Sequence, residues 1–136
     1  ELSNELTPNM LKRIHFVGTL PYQNFIQLLQ ISTVHVYLTY PFVLSWSLLE
    51  AMSLGCSIIA SDTEPLQEVI TNGKNGILVD FFDSKALALE IHNLLNDSSL
   101  REQLSLNARS FVIKKFDLKK ICLPRQLRWI DKLISS

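Results

Sequence analysis

The chain has 136 residues, 47% of them hydrophobic and 19% charged, with a net charge of zero when histidine is neutral. That composition excludes a disordered tail, supplies enough chain for one domain (residues 1–136) with its own core, and gives no electrostatic case for nucleic acid. No apolar run is long enough to span a bilayer, and the opening ELSNELTPNM lacks the pattern of a signal peptide.

In chain order, residues 1–11 are polar and carry Pro8, which predicts a loop or frayed helix. Residues 13–17, RIHFV, read as a first strand closed by Gly18. Tyr22 to Ile31 follows with Phe25, Leu28, Leu29 and Ser32 at helical spacing. Residues 34–39, VHVYLT, are β-branched and aromatic and predict a second strand. Ser45 to Leu54 predicts a short helix stopped by Gly55, and residues 57–60 predict a third, buried strand. Residues 64–70 form a short helix with Pro65 early, where its missing N–H does no harm. Asn72-Gly73 and Asn75-Gly76 are turn signals before a fourth strand, Ile77 to Val79.

Asp83 or Ser84 caps the next helix, in which Leu87, Ile91, Leu94 and Leu95 line one face. Asn96-Asp97-Ser98 breaks it and caps another, in which Leu100, Leu104, Ala108 and Phe111 are expected to be buried. Asp117 opens the last helical region, which Pro124 kinks or splits. Strands alternating with helices imply parallel strands joined by right-handed crossovers, hence an α/β, Rossmann-like sheet with flanking helices and a helical C-terminus. Four strands make a thin sheet for such a fold, and the first residue is not Met, so a piece of a longer polypeptide is expected.

The stretch from Tyr40 to Asp62, YPFVLSWSLLEAMSLGCSIIASD, organises the rest. It places a helix N-terminus at the carboxyl end of a strand, where open α/β sheets bind ligands and where free N–H groups suit a phosphate. Glu50 is a carboxylate inside an otherwise apolar helix. Two readings of it stay open. Ser47-Leu48-Leu49-Glu50 matches a capping box, which ties the carboxylate back to the helix start. Alternatively, Glu50 faces a cleft and accepts hydrogen bonds from the vicinal hydroxyls of a ribose.

Residues 48–62, LLEAMSLGCSIIASD, resemble the donor-binding signature of retaining GT-B glycosyltransferases of the group 1 type (glycosyltransferase family 4). Residues 72–79, NGKNGILV, resemble that family's turn before its last strand, and residues 62–70, DTEPLQEVI, resemble a further family segment. The resemblance covers about residues 13–118. It implies the later part of a nucleotide-sugar-binding C-terminal domain, lacking that domain's first βαβα unit and the acceptor domain before it. It implies that Glu50 holds the donor ribose, that backbone amides of Val43, Leu44 and Ser45 hold phosphate or sugar oxygens, and that Leu49 packs near the nucleoside. It further implies that the loop Gly18-Thr19-Leu20 touches the base.

The family's usual first glutamate falls at Phe42, which cannot bind sugar hydroxyls, so sugar selection differs here or is supplied elsewhere. For Phe42 and for Trp46, ordinary core packing is the competing reading. The resemblance names no protein nucleophile, and no cofactor beyond the nucleoside-diphosphate sugar. The Arg and Lys that clamp the donor diphosphate in the family fall outside the matched stretch, so these residues alone are not expected to catalyse transfer. A sugar-nucleotide epimerase of the same shape and a non-catalytic Rossmann-like interaction domain remain as rivals.

His15, His35 and His92 do not share a spacing with carboxylates that suits a metal, so none is expected. Cys56 and Cys122 read as buried free thiols, which fits a cytoplasmic protein. Lys114, Lys115, Lys119, Lys120, Arg125 and Arg128 make the C-terminal helices basic. This is a solvated face or, alternatively, a peripheral contact with the inner face of a membrane, which suits lipid-linked acceptors.

Overall fold

The computed structural model of the chain describes residues 6–40 and 43–135. Its sheet has three parallel strands in the order β1 (His35–Tyr37), β2 (Ile58–Ser61), β3 (Ile77–Val79). Helices α1 (Pro8–Leu11) and α2 (Tyr22–Ile31) precede β1. Between the strands run α3 (Trp46–Leu54) and the short α4 (Glu64–Gln67). After β3 come α5 (Ser84–Asn96), α6 (Ser98–Phe116), a π-helical turn at Leu118–Cys122 and α7 (Leu123–Ile134). This is the α/β, Rossmann-like architecture with a helical end that the alternation of strand and helix signals predicts.

β2 is central, and all four of its residues are buried. Ile58 and Ala60 join one core cluster with Leu29 of α2 and Leu48, Ala51 and Met52 of α3. Ile59 joins a second cluster with Val79, Leu94 and Leu104. The two-residue alternation of β2 therefore feeds a core on each face, as a central parallel strand requires. α6 serves both cores, with Leu104 in the second and Ala108 and Val112 in the first. The Ser57 hydroxyl, at the amino end of β2, donates to the Arg101 carbonyl of α6 at 3.0 Å. Arg109 of α6 donates to the Ser53 carbonyl at the end of α3, at 2.6 Å. α6 is thus fastened to the amino-terminal side of β2, and the opposite, carboxyl edge carries the loops that leave the strands.

Local signals explain the boundaries. Gly55 ends α3 at φ 79°, the left-handed conformation that favours glycine, and its N–H reaches back to the last turn. Space is tight at Gly76, where a Cβ would meet Ile70 Cγ2 at 3.0 Å and push that side chain aside. Asp83 caps α5 by accepting from the amides of Lys85 and Ala86, and Asp97 caps α6 by accepting from Leu100. Pro124 lies in the first turn of α7, and the segment before it relaxes into a π-turn in which Cys122 N–H reaches the Asp117 carbonyl at 2.9 Å. The split at Pro124 is therefore real.

Three expectations need correction. Residues 13–17 are exposed irregular chain and pair with no strand among the described residues. Their alternation and β-branched content favour extension, but a strand exists only with a neighbour's hydrogen-bond ladder. Leu95, expected on the inner face of α5, is 52% exposed; Leu87, Ile91 and Leu94 carry the stripe, and the next residue turns off it by about 100°. Cys122 is only partly buried, whereas Cys56 is buried, and both thiols are free. The Cys56 thiol donates to the Leu29 carbonyl at 3.3 Å, and burial pushes its pKa up.

Candidate functional site

Three strand ends converge at the carboxyl edge. The segment 38–40 leaves β1 and leads towards the N-terminus of α3. Ser61, fully buried at the end of β2, accepts a hydrogen bond from the Thr39 amide at 2.8 Å. This bond ties the β1 exit to the β2 exit and fixes where the loop before α3 begins. Tyr40 also packs against Phe81 and Phe82, which follow β3, at ring-centroid distances of 5.4 and 5.0 Å. Between the exits lies an open cleft of about 680 Å³, walled by Tyr40, Val43, Asp62, Thr63 and Glu64. Thr63 Oγ1 is buried there without a hydrogen-bond partner among the described residues. A second open groove, about 720 Å³ at the α5–α6 turn, gathers helix-cap residues such as Asn96 and Asp97 and no comparable constellation.

The N-terminus of α3 is lightly capped. Ser45 is its N-cap, and its hydroxyl accepts from the Ser47 amide at 3.3 Å and pairs with the Ser47 hydroxyl at 2.9 Å. The amides of Val43, Leu44, Ser45 and Trp46 make no hydrogen bond to a described residue. Free N–H groups at the positive end of a helix dipole are able to accept an anion without help from particular side chains.

Glu50 lies on the second turn of α3 and is partly buried. It is not the return arm of a capping box, because the cap is Ser45 and not Ser47. Instead its Oε1 accepts a hydrogen bond from the Tyr22 hydroxyl at 2.9 Å. That bond raises the Tyr22 phenol above its ordinary pKa of 10.0, with smaller contributions from desolvation and from the charge of Glu50. The phenol thus stays a donor throughout the physiological range. One Tyr O–H occupies one of about four acceptor positions of a carboxylate, so the rest remain for hydroxyls brought by a ligand. Tyr22 is the residue that sequence reasoning missed. It stands 28 positions away, at the start of α2, and only the packing of α2 on α3 brings it to Glu50.

The other expected residues divide. Ser45 and Val43 stand at the open edge, Val43 being 69% exposed. Leu44 and Leu49 pack against the first core cluster and act as its lid on this side. Gly18, Thr19 and Leu20 form the loop that runs into α2, so the Tyr22–Glu50 bond brings the end of that segment towards α3. Trp46 is 83% exposed, which rules out the core-packing reading for it. Phe42 lies outside the described residues.

The model of the family described as glycosyl transferases group 1 matches residues 5–111. The chain belongs to the glycosyl transferases group 1 family. It is 32% identical over 122 residues to an uncharacterized glycosyltransferase of Methanocaldococcus jannaschii, covering 88% of this chain and 31% of that protein. It is 30% identical over 123 residues to the N,N'-diacetylbacillosaminyl-diphospho-undecaprenol alpha-1,3-N-acetylgalactosaminyltransferase of Campylobacter jejuni, covering 90% and 32%. The chain thus spans about a third of these relatives' length.

Among solved structures, it resembles the C-terminal domain of a glycosyl transferase group 1 family protein from Francisella tularensis. There the TM-score is 0.73 at 27% identity, covering 82% of this chain and 57% of that one. It shares its fold with Anabaena HepE, solved in complex with UDP-glucose, at a TM-score of 0.80 and 21% identity over 94% of this chain and 34% of that one. The fold is that of a GT-B C-terminal domain.

Proposed function

We propose that this chain is the nucleotide-binding part of a retaining glycosyltransferase that moves a hexosyl group from a nucleoside-diphosphate sugar to a saccharide or lipid-linked acceptor. Glu50 accepts the ribose hydroxyls, oriented by Tyr22. The amides of Val43, Leu44 and Ser45, at the N-terminus of α3, receive diphosphate or sugar oxygens. The loop Gly18-Thr19-Leu20 approaches the base. Sugar selection differs from the family's at the position of Phe42 or is supplied elsewhere in the polypeptide. The reaction takes place on the cytoplasmic side, where nucleotide sugars are made, and serves polysaccharide assembly. The acceptor-binding part, and cations for the leaving diphosphate, come from other parts of the same polypeptide.

The observation that carries this reading is the state of Glu50. Its carboxylate is partly buried, positioned from α2 and not spent on capping its own helix. The family membership and a fold neighbour in complex with UDP-glucose support the ligand class.

Calorimetric titration of UDP, GDP and ADP into the full polypeptide tests it. One nucleotide binds, and Glu50→Ala weakens it by about 1–3 kcal/mol, the scale of hydrogen bonds to a charged group. Tyr22→Phe weakens it by a smaller factor, because the carboxylate remains but loses its orienting bond. A well-folded polypeptide that binds none of the three, or binds one equally well without Glu50, contradicts the proposal.

A further inference from the structure

The cleft between the exits of β1 and β2 holds groups that ribose and phosphate recognition leave unused. Tyr40 lines it with an exposed ring that packs on Phe81 and Phe82. Asp62, Thr63 and Glu64 line it with oxygens. Asp62 Oδ1 accepts from Gln67 Nε2 at 2.7 Å, which fixes the carboxylate and leaves Oδ2 without a partner among the described residues. The Glu64 carboxylate and the buried Thr63 Oγ1 have no partner there either. The described lining residues therefore bring two carboxylates and no cation, and Pro41 and Phe42, which join Tyr40 to Val43, carry no charge. The N-terminus of α3 has the opposite sign, with free amides at the positive end of the helix dipole. Val43 belongs to both, as a free amide before the helix and as part of the cleft wall. A ligand whose anionic part rests on those amides continues past Val43 into a region of negative charge.

We infer that this cleft is the sugar subsite of the donor, and that it selects an uncharged hexosyl group over a hexuronosyl group. The inference rests on the donor-site reading and adds the class of sugar to it. Ionised carboxylates only accept hydrogen bonds, so Asp62 and Glu64 take sugar hydroxyls and repel a sugar carboxylate. The Tyr40 ring offers an apolar face to the C–H side of a pyranose. A buried hydroxyl without a partner is costly, and rotation about its Cα–Cβ bond lets Thr63 meet a sugar hydroxyl in the cleft. Phe42 has no polar side-chain group, so Asp62, Thr63 and Glu64 supply the hydrogen bonds to the sugar. None of the three is given a part in bond breaking; they determine specificity.

The test is calorimetric titration of the full polypeptide with UDP, UDP-glucose and UDP-glucuronate, or with the matching guanosine or adenosine compounds where those nucleotides bind. The glucose conjugate is expected to bind at least tenfold more tightly than the glucuronate conjugate. Asp62→Asn with Glu64→Gln should shrink that ratio below threefold, because the charges go while an amide oxygen still accepts from Gln67. The ratio is the readout, and binding of the free nucleotide reports that the variant is folded. Thr63→Val should weaken the glucose conjugate about three- to tenfold relative to the free nucleotide and raise the melting temperature; a purely structural Thr63 would move only the melting temperature. A polypeptide that binds no nucleotide contradicts the donor-site reading and this inference with it. Nucleotide binding with equal affinity for the two conjugates, or with a preference that survives the double substitution, overturns this inference alone.

Discussion

Two helices start at the same edge of the sheet and are finished differently. α5 follows β3 and is capped by a carboxylate, with Asp83 accepting from the amides of Lys85 at 3.1 Å and Ala86 at 2.9 Å. α3 follows β1 and is capped by a hydroxyl, with Ser45 accepting from Ser47 at 3.3 Å. At α5 the positive end of the helix dipole is neutralised from within the chain. At α3 no carboxylate caps it, and the carboxylate of that helix stands one turn further on, held by Tyr22. The difference teaches that the strand–loop–helix plan alone does not make a binding site. The choice of cap decides which strand end stays open.

The sharpest way to break the comparison is to give α3 the cap of α5. Ser45→Asp places a charge where the donor diphosphate is expected, so nucleotide affinity should fall about tenfold, or about 1.4 kcal/mol, while thermal stability holds or rises. Unchanged affinity would mean that phosphate does not sit at this helix end. The reverse change, Asp83→Ala, should cost about 1 kcal/mol of stability in urea unfolding and leave nucleotide binding intact. A loss of binding in that variant would tie α5 to the site and erase the contrast.

A smaller effect separates fold from site. His35 opens β1 at the end remote from the α3 N-terminus; its Nε2 is buried with no partner among the described residues, and burial holds its pKa below 6.5. The folded chain therefore protonates this ring less readily than the unfolded chain, which takes up a proton below about pH 6.5. Its contribution to stability is complete above that pH and is lost as pH falls from 6.5 towards the depressed folded value. Urea midpoints should decline across that window, and His35→Gln should flatten the decline.

Much of this was written locally in the sequence. Asp83, Asp97, Gly55 and Pro124 act through backbone geometry within a few residues, and each does what its type predicts. β3 falls where the apolar run Ile77–Val79 sits between turn and cap. The failures are non-local. Residues 13–17 have strand composition, but pairing depends on a neighbour that composition does not specify. Ser47 and Glu50 have capping-box spacing, yet Ser45 takes the cap two residues earlier. Neither the Tyr22–Glu50 bond nor the Thr39–Ser61 bond has a signature in sequence spacing, because each joins elements that meet only after the sheet and its covering helices assemble. The elements around the candidate site were therefore legible, and the hydrogen bonds that join them were not.

The central claim is that the edge formed by the α3 N-terminus and Glu50 receives a nucleoside diphosphate. Amide chemical-shift mapping of the isotope-labelled full polypeptide, titrated with the nucleotide that binds, tests it most directly. The account predicts the largest shifts at Val43, Leu44, Ser45 and Trp46, smaller ones around Tyr22 and Glu50, and none at the capped start of α5. Shifts that leave residues 43–50 unmoved, or that centre on α5, would contradict it.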